Sequence, residues 1–208
     1  MLSRRSFLGT TSAFLAFLLV WALSLSSGYA ASGSADDFIK KVGTEAINSL
    51  TGKNLSDKER QDRFREILKR TFKIDLIARF TLGRYWRRTT ETQKKEYVEL
   101  FEDFIVQAYA ARFKGYSGET FQVGRVRDIN ARDKLVQSDL VLTDGRKIPV
   151  HWRVRDSSDY KIIDVLVEGV SMAITQRDEF AAIINQRGGK IEGLLRALRD
   201  KTGRSKKP

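Results

Sequence analysis

The hydrophobic period of the chain changes twice, and this change limits the folds that it can adopt. From Asp36 onward apolar residues recur at helical spacing, and Thr90-x-x-Gln93 is a capping-box pattern at the start of the longest such stretch. From Phe121 to Val167 the period is two, which is typical of half-buried strands, and beyond Val167 the spacing is helical again. Helices, then strands, then helices predict an α+β fold.

The strand region predicts a meander rather than a parallel sheet. Its four strands are Phe121–Ile129, Lys134–Leu142, Arg146–Arg155 and Tyr160–Val167. Asp144-Gly145 is a strong hairpin signal, and short links between successive strands require antiparallel pairing. In the third strand apolar residues such as Trp152 alternate with polar residues such as Arg153, so one face is apolar. We therefore expect a four-stranded antiparallel sheet covered by several helices.

The helical stretches carry recognisable starts and stops. We predict six helices: one that Ser34 caps and that runs to Leu50, one from Ser56 to Thr71, Ile74–Leu82, one from Thr90 that ends before Gly115, one between Val167 and Gly188, and Ile191–Leu198. On the longest helix the inward residues are Tyr97, Leu100, Phe101, Phe104, Ile105 and Ala108. The chain shows no internal repeat and no domain boundary, so one domain is expected.

Residues 1–30 have the organisation of an export signal. Arg4 and Arg5 precede an apolar run at residues 13–23, which is shorter than the roughly 20 residues that span a bilayer. Gly28-Tyr29-Ala30 favours cleavage after Ala30. Ser3-Arg4-Arg5-x-Phe-Leu resembles a twin-arginine signal, whereas Gly9 and the strongly apolar run favour general secretion, so both routes stay open. The predicted organisation is a cleaved signal at residues 1–30, a single domain at 31–200 and a basic tail at 201–208, in the periplasm.

Composition excludes several kinds of site. With no Cys and one His, the chain cannot form disulfides or use thiol catalysis, and we predict neither a metal site nor a cofactor. The full chain has a net charge of +12, and removal of Arg4 and Arg5 with the signal leaves +10, which favours contact with anionic lipid headgroups or acidic proteins. Tyr85-Trp86-Arg87-Arg88 could suit nucleic acid, but an exported protein seldom meets it. We expect the two aromatic residues to pack in the core and the two arginines to be solvated.

One motif raises the question of catalysis. Gly169-x-Ser171-x-Ala173 follows a strand and precedes a helix, as a nucleophile elbow does. In that fold the catalytic His follows the nucleophile in the sequence, and the elbow lies on a parallel sheet. Here His151 precedes Ser171, and the sheet is predicted to be an antiparallel meander. We therefore predict that Ser171 caps the following helix and that the protein is not an enzyme. A Ser171 esterase and a basic adaptor that docks on a membrane complex without lipid are the alternatives.

Two stretches carry a resemblance to a known family. They are Phe72–Arg87, with its Asp, apolar positions, Leu-Gly and Tyr-Trp, and Asp164–Ser171, which is followed by Arg177 and Phe180. In order and spacing they resemble the MlaC-type, or toluene-tolerance, family of periplasmic lipid carriers, over residues 36–198. Tyr160 departs from the family, which often has Trp there. A hopanoid-associated, HpnM-like subgroup shares these motifs.

The resemblance implies a function. Such carriers enclose the acyl chains of a phospholipid or a hopanoid in an apolar pocket between sheet and helices, and leave the headgroup in water. They serve an inner-membrane MCE/ABC transporter complex and an outer-membrane lipoprotein complex, in support of outer-membrane lipid asymmetry. The free-energy cost that a carrier removes is on the order of 20 kcal/mol, at about 0.8 kcal/mol for each exposed methylene. We expect a monomer with transient contacts to membrane complexes and no nucleic acid partner.

Pattern and resemblance together assign two sets of residues. The predicted lipid-binding residues are Leu76, Ile77, Phe80, Tyr85, Phe101, Phe104, Tyr109, Val150, Trp152, Val165, Val167, Val170 and Met172. The predicted contacts to a headgroup or partner are Arg79, Arg84, Arg87 and Arg88. Because ordinary core packing gives the same periodicity as a pocket wall, core packing remains the alternative for each apolar residue.

Overall fold

The computed structural model describes residues 33–204, and its elements follow the predicted order. The described helices are α1 Ala35–Leu50, α2 Asp57–Thr71, α3 Ile74–Leu82, α4 Glu91–Ala110, α5 Met172–Gln186 and α6 Ile191–Thr202, with 3₁₀ segments at Gly83–Arg88 and Ala111–Gly115. The strands are β1 Thr120–Asp128, β2 Asp133–Val141, β3 Lys147–Arg155, β4 Lys161–Val167 and β5 Val170–Ser171. The predicted signal segment and residues 205–208 lie outside the described range.

Hydroxyl side chains cap the N-termini of several helices. At α2 the Ser56 hydroxyl accepts a hydrogen bond from Glu59 N at 3.2 Å, and the Glu59 carboxylate accepts one from Ser56 N at 3.0 Å. This capping box, and the one between Thr90 and Gln93 at α4, confirm the predicted starts because both unpaired backbone donors are satisfied. None of the helices within residues 33–204 has both the length and the apolar content needed to cross a bilayer.

Two helical predictions were wrong in detail. α6 continues to Thr202, four residues beyond the predicted end at Leu198, and stops at Gly203 with φ of 69°. The added turn is mostly charged, so it carries no apolar period, but it is held by a hydrogen bond from the Thr202 hydroxyl to Leu198 O at 2.8 Å. On α4, Ala108 is exposed rather than inward.

The sheet has five strands rather than the four predicted, in the order β1-β2-β3-β4-β5. Every pair is antiparallel, so the predicted meander is confirmed. The additional strand, β5, pairs Val170 with Val167 and Ser171 with Leu166. The turn between them holds Glu168 and Gly169 at positive φ, 51° and 82°, as a tight hairpin requires. A two-residue strand is too short to show alternation, which is why the sequence did not reveal it.

Buried apolar side chains form two clusters. The helical core, from α3, the following 3₁₀ segment, α4, α5 and α6, contains Ala78, Leu82, Tyr85, Tyr97, Leu100, Phe101, Phe180, Ile184, Ile191, Leu194, Leu195 and Leu198. The sheet-face cluster, from α1, α2 and one face of the sheet, is built on Ala35, Ile39, Val42, Leu50, Ile67, Val136, Val154 and Ile162.

Candidate functional site

Strand register places five of the predicted lipid-binding residues on one face of the sheet. Trp152 on β3 lies opposite Val165 on β4, and opposite Val136 of the sheet-face cluster on β2. Val150 lies opposite Val167, which in turn lies opposite Val170. Because directly opposed residues in an antiparallel pair share a face, these side chains form one apolar surface.

Helix α1 covers part of this surface at close range. Gly43 packs directly against the ring of Phe121 on β1, so closely that a Cβ at Gly43 would lie 2.5 Å from Phe121 Cδ1. The Phe121 ring in turn meets the Trp152 ring edge to face, with the centroids 6.0 Å apart at 89°. The glycine thus allows the helix backbone to approach an aromatic pair that stands on the sheet.

The rim of the sheet-face cluster is only partly buried, and most of it is aromatic. The partly buried members are Phe38, Ala46, Phe64, Phe72, Phe113, Phe121, Val123, Trp152, Tyr160 and Val165. Aromatic side chains bring large apolar area, and area that the protein leaves accessible can be removed from water by an apolar ligand. This rim is the candidate functional site.

The indole N–H of Trp152 on the rim is paired within the protein. The Trp152 indole Nε1–H donates to Ser138 Oγ at 2.9 Å, and the Ser138 hydroxyl donates to the carbonyl oxygen of Val150. Because the indole N–H is already paired, the Trp152 ring acts here as an apolar wall. The surface that Trp152 presents is therefore apolar.

Four other predicted lipid-binding residues lie in the helical core. Tyr85 and Phe101 are 7% and 1% exposed, and Ile77 and Phe104 pack against the same core. The Tyr85 hydroxyl donates to Asn185 Oδ1 at 2.7 Å, so its polar end is also engaged. The structure groups these residues with α5 and α6, apart from the sheet-face cluster.

The remaining predicted lipid-binding residues are dispersed. Leu76 lines a cleft of about 510 Å³ between α2, α3 and α4, which is shared by Lys69, Phe72, Lys73, Ile74, Asp75, Val98 and Glu102. Phe80 is 40% exposed beneath the Arg177 guanidinium, 5.2 Å from its ring centroid. Arg112 lies over the Tyr109 ring, and Met172 begins α5.

The arginines predicted to contact a headgroup or a partner belong to the helical part of the chain. Arg79 lies on α3, while Arg84, Arg87 and Arg88 lie on the 3₁₀ segment, and all four are exposed. Arg84 donates to the Tyr85 hydroxyl at 2.9 Å and stacks on the same ring. As predicted, Tyr85 packs in the core beside solvated Arg87 and Arg88.

The Asp164–Ser171 motif ties the sheet to α5. The buried Asp164 carboxylate accepts hydrogen bonds from the Ser171 hydroxyl at 2.6 Å and from Ala173 N at 3.1 Å. The Ser171 oxygen accepts from Ile174 N at 3.1 Å, which confirms the predicted cap. With its proton donated to Asp164, this hydroxyl is used in the joint between β4 and α5.

The two motif stretches also meet each other. Gly83 has φ of 56°, and a Cβ there would lie 2.9 Å from the Arg177 Nε. The Leu-Gly of the first stretch therefore leaves room for the arginine of the second. The close approach of Gly83 and Arg177 brings α3 and α5 together, so these two motif residues have a structural role.

Sequence reasoning did not assign the β1 and α2 residues of the rim to the site. Phe121 and Val123 lie two residues apart on the same face of β1, and Phe64 lies on α2. The two-residue period of the sequence could have identified Phe121 and Val123. Through the pairing of β1 with β2 and of β2 with β3, their side chains lie on the same face of the sheet as the apolar residues of β3. The signal for Phe64 was weaker, because a helical stripe does not say which surface it meets.

Comparison with known proteins agrees with this architecture. The family model described as MlaC protein matches residues 40–200. The intermembrane phospholipid transport system binding protein MlaC of Haemophilus influenzae is 26% identical over 114 residues, which is 51% of this chain and 52% of that protein. The match thus spans about half the length of that relative.

A solved structure shows the same fold. It is the phospholipid-binding protein from Ralstonia solanacearum in complex with a phospholipid, with a TM-score of 0.75 and 18% sequence identity, over 83% of this chain and 98% of that one. The family model extends from within α1 to near the end of α6, across both clusters. The chain therefore belongs to the MlaC family.

Proposed function

We propose that the protein is a periplasmic lipid carrier that shields the acyl chains of a phospholipid against the aromatic rim of the sheet-face cluster. The observation that carries this proposal is the partial burial of that rim, which includes Phe121 and Trp152. The Haemophilus relative is named as a phospholipid transport binding protein, and the Ralstonia structure holds a phospholipid. Both support a phospholipid as the ligand here.

The proposed mechanism is desolvation without a chemical step. Acyl chains lie along Val150, Trp152, Val165 and Val167, where each methylene removed from water contributes about 0.8 kcal/mol. The aromatic rim supplies the covering walls, and the headgroup stays in water. Ser171 takes no part, because its hydroxyl caps α5 and donates to Asp164.

The wider setting is part of the proposal. An export signal at residues 1–30 would deliver the chain to the periplasm as a monomer. There it would exchange lipid with an inner-membrane MCE/ABC transporter complex and an outer-membrane lipoprotein complex. Without Arg4 and Arg5 of the signal the net charge is +10, which suits transient contact with anionic surfaces of such partners. A hopanoid is the second candidate cargo, since its fused rings need the same apolar cover.

Mass spectrometry of lipid extracted from the protein purified from its native periplasm tests the proposal. We expect about one phospholipid per chain in the parent protein and strongly reduced lipid in Val165→Gln, which puts an amide opposite Trp152. The matched control is Ile174→Gln, because Ile174 is an apolar residue of α5 that is already 50% exposed. Circular dichroism verifies that both variants remain folded.

Each outcome of this experiment is informative. A hopanoid in place of phospholipid would change the cargo but keep the carrier. Lipid that is absent from the parent protein would favour the adaptor alternative. Lipid that is retained in folded Val165→Gln and also in Trp152→Gln would contradict the assignment of the sheet face as the binding surface.

A further inference from the structure

The face of the sheet opposite the sheet-face cluster carries a row of basic side chains. Alternation along β3 puts His151 and Arg153 on the face that Trp152 and Val154 do not use. Across the strands, Arg153 lies opposite Leu135 on β2, and Leu135 lies opposite Arg127 on β1. Leu135 is only 8% exposed although it belongs to neither apolar cluster. We call these four residues the outer sheet face.

Arg153 is the unusual member of this surface. Its Nε is buried and has no hydrogen-bond partner within residues 33–204. A buried guanidinium N–H that has lost water without gaining an acceptor is unfavourable, and such groups are rare in folded proteins. Arg153 as a whole is only partly buried. An anion bound at the terminal nitrogens of its guanidinium would offset part of this cost, so the arrangement points to an acceptor that comes from outside the chain.

The nearby carboxylates do not supply that acceptor. Asp164 lies opposite Arg153 on β4, but its oxygens accept from the Ser171 hydroxyl and from Ala173 N. Asp133 is held by Arg155, with N–O distances of 2.7 and 2.9 Å. Asp139, the third acid of this face, lies further along β2, opposite Pro149. Within residues 33–204 Arg153 thus forms no ion pair closer than 4.0 Å, although the Asp164 carboxylate lies on the neighbouring strand.

The sheet spacing lets neighbouring donors reach the same ligand. Adjacent strands lie about 4.8 Å apart, so the Cα atoms of Arg127 and Arg153, two strands apart, are about 10 Å from each other. His151 precedes Arg153 by two residues, about 7 Å along the strand. An extended arginine side chain is long enough for Arg127, His151 and Arg153 to reach a single anion that lies above Leu135.

We propose that the outer sheet face binds a phosphate group. The planar guanidinium of Arg153 would bind the phosphate oxygens in bidentate fashion, while Arg127 and His151 donate to the same group. Three donor side chains suit a phosphate group, because inorganic phosphate has four oxygens and each of the two charged oxygens of a phosphodiester can accept more than one hydrogen bond. Its source is either free inorganic phosphate or the headgroup phosphate of a phospholipid. The site lies on the opposite face from the proposed acyl-chain surface and does not depend on it.

The first test is a titration of the full mature protein with inorganic phosphate at constant ionic strength. We expect the Nε–Hε NMR signal of Arg153 to shift and to saturate. Arg153→Gln should abolish binding, and Arg127→Gln should weaken it about tenfold, as the loss of one charge-assisted partner does. If Arg153→Gln does not fold, Arg153→Lys replaces it in the test, because lysine keeps the positive charge but lacks the planar guanidinium. The control is Arg146→Gln, a turn arginine that is paired with Asp144.

The second test separates the two sources of phosphate. In co-sedimentation with vesicles of phosphatidylcholine and phosphatidylglycerol, a larger loss for Arg153→Gln than for Arg146→Gln identifies a lipid headgroup. Saturable phosphate binding with equal sedimentation of the two variants identifies free phosphate. A signal of Arg153 that never saturates, or an affinity that Arg127→Gln leaves unchanged, would overturn the proposal. Lipid extracted from Arg153→Gln should match the parent protein, so this test fails or succeeds independently of the carrier function.

Discussion

The helical core and the sheet-face cluster differ in how completely their aromatic residues are enclosed. Tyr97, Phe101 and Phe180 pack against one another with ring centroids 6.0–6.2 Å apart, and each is 2% exposed or less. In the sheet-face cluster the aliphatic base is just as buried, whereas Phe121 and Trp152 remain partly accessible. Four helices contribute side chains to the first cluster, whereas α1, α2 and the 3₁₀ segment Ala111–Gly115 cover the second. We therefore expect the helical core to contribute most of the stability, and the sheet-face cluster to provide the proposed contact with lipid.

The largest expected effect comes from one Phe→Ala substitution in each cluster. Phe180→Ala should lower the free energy of unfolding by about 3–5 kcal/mol, because it leaves a cavity among three aromatic rings. Phe121→Ala should cost about 1–2 kcal/mol, since part of that ring is already in water. Urea unfolding of both variants gives the two values. Equal costs would show that the two clusters are equally closed.

The second prediction concerns the joint between the sheet and the helical core. Asp164→Ala should cost about 2–3 kcal/mol, because it removes the buried acceptor of the Ser171 hydroxyl and of Ala173 N. Ser171→Ala should cost about 1 kcal/mol, the usual value for a lost cap. Hydrogen exchange should show faster opening at the start of α5 in the first variant. Unchanged protection there would mean that Asp164 does not couple the two parts.

Local signals made the elements predictable. The α1, α2, α4 and α5 starts follow from hydroxyl caps, and the four long strands fall within one residue of their predicted bounds. The short β5 and the last turn of α6 were missed, because two residues cannot show a period and a charged turn has no apolar face.

The division of the apolar residues was beyond the sequence. Phe101 and Trp152 are both inward residues of amphipathic elements, and pattern and resemblance together assigned them to one pocket. The structure puts them in different clusters. A period tells which side of an element is covered, whereas the covering element depends on helix packing between residues far apart in the chain. Their roles as lipid contacts stay predictions.

The third prediction is a pH dependence on the outer side of the sheet. The Arg155 guanidinium, hydrogen-bonded to Asp133, holds the pKa of that carboxyl below its ordinary value of 3.8. A lowered folded-state pKa stabilises the fold above about pH 4, and this stabilisation is lost as the pH falls through the folded value. Asp133→Asn should therefore cost about 1–2 kcal/mol at pH 7 and progressively less below pH 4.

Unfolding measured between pH 2 and pH 7 tests this dependence. Asp144→Asn is the control, because its partner Arg146 is an exposed turn residue, and we expect little change at any pH. A cost of Asp133→Asn that stays constant with pH would contradict the assignment of the pair. Since neither apolar cluster contains Asp133, the lipid content of this variant should equal that of the parent.

The smallest stability effect, and the sharpest separation of the two clusters, is expected from a single methyl group. Gly43→Ala favours α1 by up to about 1 kcal/mol through helix propensity, but its Cβ would lie 2.5 Å from Phe121 Cδ1 and force the ring toward Trp152. The gain in helix propensity and the cost of the steric clash oppose each other, so the free energy of unfolding should change by less than about 1 kcal/mol. The displaced ring should still alter Trp fluorescence and reduce extracted lipid. Gly193→Ala is the matched control, because Gly193 lies in α6 and its added Cβ would lie 2.5 Å from the Cβ of Arg187, which follows α5. An equal loss of lipid in both variants would mean that the space beneath α1 is not where the ligand lies.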